Sequence, residues 1–332
     1  MASRPLVIGG AGFIGSSLVR LLASEGPVAV LDDLSTGHAA NLEGVAGVDL
    51  VEASLLDDDA LRRTVREASV VYHLACLGVR HSIHQPVQNH QVNALGTLKV
   101  LETSRHEGVD RVVYCSTSEV YGTAERVPMD EDHPTWPHTV YGGSKLAGEA
   151  YTRAYHVTYG MPTVVIRPFN AFGPRSHHEG DSGEVIPKFL VRAQNGLPPI
   201  IFGDGSQTRD FSFVEDTARA IAAAGVREGA VGETINVGNG QEISILELAR
   251  VVTDVAGRPD LTPDLHASRP GDVLRLYADS NKAAALLGWK PAVTLREGLE
   301  RLVAWHERQG TDWTTALSED VPHNWEASGG GA

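Results

Sequence analysis

The stretch Gly9-Gly10-Ala11-Gly12-Phe13-Ile14-Gly15 decides the fold. It follows the apolar run Leu6–Ile8 directly and opens a helical pattern. Glycines at Gly9, Gly12 and Gly15 allow a tight turn, let backbone N–H groups approach a pyrophosphate, and let the helix pack closely on the strand. Such a loop can also be a turn and nothing more, so its surroundings decide its meaning. Asp32 ends the next apolar run, VAVLDD, at the distance where a carboxylate accepts hydrogen bonds from ribose hydroxyls and repels a ribose phosphate. That points to NAD rather than NADP. The competing reading is that Asp32 and Asp33 only terminate a strand.

Outward from this loop the first half alternates short β-branched runs with helix-period stretches. LVIGG, SLVRLLASEG, VAVLDDL, ALRRTVREA, VVYHLA, TLKVLETSRHEG and RVVYCST succeed one another, and a further strand starts at Thr163 in TVVIRPFN. The alternation implies βαβ units, and strands apolar on both faces imply a parallel, doubly wound α/β sheet. Beyond it, Gly- and Pro-rich stretches with short helices read as a smaller, mixed α/β domain closing over the crevice. The expected division is 1–170 for the cofactor domain, with later segments free to return to it, 171–325 for the second domain, and a disordered tail over 326–332.

The chain has 332 residues, 42% of them hydrophobic and 21% charged, which suffices for a large core. Its net charge of -14 argues against nucleic-acid binding, which needs clustered Lys and Arg. Two cysteines and 14 scattered histidines show neither a disulfide framework nor metal-ligand spacing, so no metal is expected. Met1 runs almost directly into Leu6–Ile8 with no targeting pattern, and no run reaches membrane-spanning length. A cytoplasmic protein without a membrane partner is expected.

The candidate chemistry lies after RVVYC. Ser116-Thr117-Ser118-Glu119-Val120-Tyr121-Gly122 ends that strand, and Tyr141-Gly142-Gly143-Ser144-Lys145 opens a long helical pattern. Tyr141 and Lys145, four apart, share a helix face, so the ammonium is expected to lower the phenol's pKa and make Tyr141 a general base. Thr117 is placed to hydrogen-bond the same substrate hydroxyl. Taken alone, a Tyr–Lys pair at this spacing is an ordinary helix surface; joined to the glycine loop it becomes a candidate site.

With these motifs in place, the chain closely resembles the extended short-chain dehydrogenase/reductase family of nucleotide-sugar epimerases, dehydratases and decarboxylases. The resemblance runs through GGAGFIG, LDDLSTG, HLAC at His73–Cys76, STSEVYG, YGGSK, RPFNAFGPR, FGDGSQTRDF and RPGD. It implies a proton-relay group of Thr117, Tyr141 and Lys145. The implied NAD contacts are Gly9, Gly12, Phe13, Ile14, Gly15, Asp32, Asp33, Leu34, Ser35, Thr36, Gly37, Ser54, Leu55, Leu74, Ala75, Cys76, Asn93, Tyr141, Lys145 and Pro168. Asn170, Val185, Lys188, Phe202, Arg209, Arg269 and Asp272 would hold the nucleotide diphosphate of the sugar substrate, the planar forks of the two arginines suiting phosphate oxygens. An ion pair with Asp210 is the alternative role for Arg209. The likeness also implies a homodimer joined through helices near 90–107 and 141–160. Two departures stand out: Ala53-Ser54-Leu55 replaces the family's usual Gly-Asp before Ile or Val near the adenine, and Cys76 replaces an alanine near the nicotinamide. Cys76 reads as a small buried residue before it reads as a reactive one.

Family members share oxidation at a sugar carbon, usually C4, and differ in the fate of the keto sugar. Strand alternation would put Thr117 and Glu119 on one face. Glu119 could then take the acidified C5 proton while Ser118 helps water leave, so 4,6-dehydration is the favoured expectation. STSEVYGTAERVPMDEDHP resembles bacterial dehydratases acting on N-acetylglucosamine nucleotides. The alternatives are 4-epimerisation, with Glu119 only ordering the loop before Tyr121, and then glucuronate decarboxylation, whose enzymes resemble this chain less around Arg209. Outside catalysis, an NAD-binding pseudoenzyme is disfavoured by the intact Thr117, Tyr141 and Lys145, and an RNA-binding relative by the acidic charge.

Overall fold

The computed structural model describes residues 4–268 and 273–323. Its strands are β1 (Arg4–Ile8), β2 (Val28–Asp32), β3 (Val48–Glu52), β4 (Ala68–His73), β5 (Arg111–Cys115), β6 (Thr163–Pro168), β7 (Asn170–Phe172), β8 (Ile200–Phe202), β9 (Thr208–Phe213), β10 (Thr234–Val237), β11 (Glu242–Ser244) and β12 (Asp264–His266). Its helices are α1 (Phe13–Ala23), α2 (Asp58–Val65), α3 (Val79–His84), α4 (Pro86–His90), α5 (Gly96–Glu107), α6 (Val140–Tyr159), α7 (Val185–Gln194), α8 (Val214–Ala224), α9 (Ile245–Val255), α10 (Asn281–Leu287), α11 (Leu295–Gln309) and α12 (Trp313–Ser318).

Seven strands form one parallel sheet in the order β10-β6-β5-β4-β1-β2-β3. Every residue of β2, β5 and β6 is buried, as expected of strands covered on both faces. Alternation along β1 sends Val7 to one face, where Leu18 and Val19 of α1 and Ile221 of α8 pack. Leu6 and Ile8 go to the other, against Leu61 of α2, Leu101 of α5 and Tyr155 of α6. The doubly wound architecture is therefore the one expected.

Two strands of this seven-stranded sheet were not legible. β3 sits at the sheet's edge and carries Asp49 and Glu52, so it lacks the apolar run that marks the central strands. β10 pairs with β6 at the opposite edge, so the first 170 residues do not complete the sheet and a segment from the second half does. The remaining strands form a three-stranded sheet, β11-β9-β7, and a two-stranded one, β12-β8. Phe172, Phe189, Phe211, Phe213, Leu248 and Leu302 pack together as a separate core for this lobe.

Candidate active site

The strand order reverses on either side of β1, and this opens a crevice at the carboxyl ends of the strands. A cleft of about 840 Å³ lies there, lined by the loops after β1, β2, β4, β5 and β6 and by the second lobe. Gly9 has φ +85°, and a Cβ on it would lie 2.5 Å from the backbone nitrogen of Ala75, so the loops after β1 and β4 meet only because residue 9 is glycine. Gly12 starts α1 without any side-chain cap, which leaves first-turn N–H groups available to an anion. Asp32 Oδ2 accepts from the Ala11 N–H at 2.8 Å and Oδ1 from the Leu34 N–H at 2.9 Å. The carboxylate thus ties the glycine loop to β2 and keeps lone pairs for further donors. Burial raises its pKa while those backbone hydrogen bonds oppose the rise. An uncapped helix start, a Cβ-free turn and a buried acceptor at the end of β2 together fit a dinucleotide.

Across the cleft, Thr139 caps α6 by accepting the Gly142 N–H at 3.0 Å, which sets Tyr141 and Lys145 in its first turns. A Cβ on Gly148 would lie 2.3 Å from the Tyr114 hydroxyl, so α6 can approach β5 this closely only with glycine there. Lys145 is buried; its ammonium donates to the Cys115 carbonyl at 2.5 Å and lies 4.5 Å from the centre of the Tyr114 ring. Burial and the neighbouring Cys76 push the pKa of the Tyr141 phenol well above its ordinary value, against the opposing influence of the nearby Thr117 hydroxyl. The expected lowering by Lys145 is not found in the chain itself, because the lysine's directed hydrogen bond goes to Cys115 at the end of β5.

β5 ends at Cys115, and Ser118–Val120 is a single 3₁₀ turn with Thr117 as its cap, accepting the Glu119 N–H at 3.2 Å. Thr117 and Glu119 therefore reach the cleft through a turn, not through strand alternation as expected. Ser118 is buried and does not line the cleft, contrary to expectation. Behind the turn, Glu149 accepts from Ser116 Oγ at 2.6 Å and from Arg167 Nη2 at 2.6 Å, and Arg167 also donates to the Tyr121 hydroxyl at 2.8 Å.

The family model for GDP-mannose 4,6 dehydratase matches residues 6–302. UDP-glucose 4-epimerase of Mycolicibacterium smegmatis is 40% identical over 307 residues, covering 90% of this chain and 97% of that one. An epimerase structure from Methanothermobacter thermautotrophicus superposes with TM-score 0.90 at 38% identity, covering 96% of this chain and 95% of that one. The chain belongs to the extended short-chain dehydrogenase/reductase family. It is an enzyme of that family's NAD-dependent nucleotide-sugar epimerases and dehydratases. A dTDP-glucose 4,6-dehydratase of Streptomyces venezuelae, solved with NAD, matches with TM-score 0.86 at 33% identity over 92% of this chain and 97% of that one. Among the described residues no helix is long and apolar enough to cross a membrane.

Within this family frame, most of the expected residues meet in the cleft. Gly9, Gly12, Phe13, Ile14, Gly15, Asp32, Asp33, Ser35, Thr36, Gly37, Leu55, Leu74, Ala75, Cys76, Tyr141, Lys145 and Pro168 all line it. Three expected cofactor residues do not. Leu34 packs against the core; Ser54 turns its hydroxyl to the Leu56 N–H at 3.2 Å; Asn93 is buried, where it accepts the Leu77 N–H at 2.8 Å and so holds the loop after β4. On the substrate side Asn170, Val185, Lys188, Phe202 and Arg209 line the cleft, and Asn170 Oδ1 is a buried acceptor with no protein donor. Asp210 takes the backbone N–H groups of Asn239, Gly240 and Ala278, while Arg209 donates to the carbonyls of Thr208 and Val273. Arg269, Asp272 and the 326–332 tail lie outside the described residues.

Sequence reading missed Arg80, His177, Glu184, Arg192 and Asp320, all of which line the cleft. None sits in a spacing that signals chemistry; folding alone gathers them. It also missed that His38, His177 and Glu179 bring three ligand-type atoms within 4.8 Å of one another, a grouping the 2.6 Å His177 Nδ1–Glu179 hydrogen bond accounts for.

Proposed function

We propose that this enzyme is a nucleotide-sugar 4-epimerase, and the observation that carries the reading is the composition of the cleft wall after β5. Thr117 and Tyr141 both line it there, whereas Ser118, the group that would assist departure of water, is buried outside it. Relatives named as UDP-glucose 4-epimerases support the same reading. When bound, NAD supplies the hydride acceptor and donor and the positive charge of its oxidised ring. Acting as a base requires the Tyr141 phenolate, so the raised phenol has to be brought down by the positive charges of Lys145 and of the bound oxidised ring; Tyr141 then takes the proton of the sugar C4 hydroxyl as C4 becomes a ketone, and Thr117 hydrogen-bonds that oxygen. The keto sugar then turns over in the roomy cleft, and Tyr141 returns the proton to the C4 oxygen as C4 is reduced, giving the inverted alcohol.

A second reading, 4,6-dehydration, is favoured by one observation: Glu119 lines the same wall. Its carboxylate is the base that C5 deprotonation would use. Mass spectrometry of products from UDP-, dTDP-, GDP- and CDP-sugars, a uronic acid included, separates the readings. Unchanged mass with altered retention means epimerisation; loss of one water means dehydration and overturns the first reading, as does loss of carbon dioxide. Pairing of two copies through the helical stretches 90–107 and 141–160 is supported by exposed Leu95, Val157 and Tyr159, and sedimentation equilibrium tests it.

A further inference from the structure

The second-lobe end of the cleft holds a segment of the chain itself. After α12 the backbone turns back, and Asp320 and Pro322 line the cavity together with Lys188, Arg192 and Phe202. The Asp320 side chain, 4% exposed, lies 3.2 Å from Lys188 Nζ and 3.7 Å from Arg192 Nη1. The His323 ring lies 5.5 Å, centre to centre, from Phe202. A carboxylate on two cations and a flat heteroaromatic ring on a phenyl ring reproduce the phosphate and base of a nucleotide in chemical kind.

The mimicry is imperfect in a way that makes it displaceable. Asp320 Oδ1 is buried and meets Lys188 as an ion pair without a well-formed hydrogen bond, while Lys188 also donates to the Val321 carbonyl at 2.6 Å. A carboxylate held by charge alone repays little of its desolvation cost. A diphosphate brings more charge and more acceptors to the same cations. The outer tethers lie towards solvent: Glu319 is half-exposed where it meets His178 Nε2 at 3.1 Å, and its carbonyl accepts the Gly180 N–H at 3.1 Å.

We propose that Glu319–His323 is an internal strap that occupies the nucleotide-diphosphate subsite and leaves it when substrate binds, with Asp320 setting the apparent affinity. This rests on the proposed function together with the family resemblance, which assigns Lys188 and Phe202 to the nucleotide diphosphate. A strap closed nine-tenths of the time weakens apparent affinity about tenfold.

Hydrogen exchange of the full-length, NAD-loaded protein tests this with UDP, dTDP, GDP and CDP in turn. The expected result is that one nucleotide slows exchange over 185–202 and speeds it over 319–323. Slowed exchange over 185–202 with 319–323 unchanged or also slowed overturns the strap and leaves the nucleotide reading standing. No slowing over 185–202 with any of the four overturns both. In parallel, Asp320→Asn should tighten binding of that nucleotide about tenfold by calorimetry; unchanged or weaker binding overturns the strap.

Discussion

Lys145 on α6 donates its ammonium to the Cys115 carbonyl at 2.5 Å, so the helix that carries Tyr141 is latched to the strand end that carries Thr117. The latch is buried, with the Tyr114 ring beneath it. Lys145→Met keeps the stem and removes the donor, leaving the carbonyl unsatisfied. We expect turnover to fall about 10²-fold or more and unfolding free energy to fall by about 1–3 kcal/mol. Product assays and urea denaturation of the same preparation measure both, and wild-type values for either would separate the latch from its assigned role.

Tyr141→Phe keeps the ring and deletes only the proton carrier. Turnover should drop by about 10²–10⁴-fold, while NAD released on denaturation stays at the wild-type amount, because Gly9, Gly12 and Asp32 are untouched. Full activity in this variant would sink the proton-transfer scheme.

What the sequence made legible divides along a physical line. The glycine loop, Asp32 and the Thr117, Tyr141 and Lys145 set could be read because each sits on an element whose period or boundary shows locally: a strand end, a helix start, a four-residue step. Ser118 was misplaced because its role came from the likeness to dehydratases, whereas alternation and the observed 3₁₀ turn alike give it a course different from that of Thr117 and Glu119. Asn93 spends its side-chain oxygen on the Leu77 N–H, a partner 16 residues away that no local pattern reports. Arg80, Glu184 and Asp320 face the cleft through tertiary packing, and no local pattern reports that.

The Glu149–Arg167 pair braces this turn from behind, with side chains 0% and 4% exposed. Burial raises the Glu149 pKa, but hydrogen bonds and charge from Arg167 prevail and hold it below the ordinary value. Glu149→Ala strands a buried guanidinium, and the expected loss is about 3–5 kcal/mol at neutral pH. A depressed folded pKa gives stability that is present above the unfolded value and lost as pH falls through the folded one. The gap between wild type and variant should therefore narrow on acidification, and denaturation curves at pH 7 and pH 4 check this.

Glu184 gives the cleft a titration near neutrality. Burial pushes its carboxyl up to about 7, with His177 and Arg80 opposing and Glu179 adding to the rise. Below that pH it is neutral; above it, the cleft gains a negative charge that disfavours an anionic nucleotide sugar. KM should rise roughly fivefold, about 1 kcal/mol, between pH 6 and pH 8. Glu184→Gln should flatten that rise, and KM–pH profiles of the two proteins decide; a parallel rise in the variant would assign the titration elsewhere.

Glu119 separates the two reactions by what its loss leaves intact. C4 oxidation calls on Thr117 and Tyr141, whereas only dehydration needs a second base at C5. If the enzyme epimerises, Glu119→Gln should change kcat by less than about tenfold, since the amide keeps the side chain's shape and the turn is held by the Glu119 backbone N–H bond to Thr117. If it dehydrates, the same variant should lose water elimination by about 10²-fold or more while still oxidising C4. Two readouts on one sample distinguish these cases: product mass, and wash-in of solvent deuterium at C5. Deuterium at C5 in the wild type that vanishes in Glu119→Gln would make Glu119 the base and overturn the epimerase reading. Absence of deuterium at C5 in both proteins, with C4 inverted in both, would leave Glu119 a wall of the cleft and nothing more.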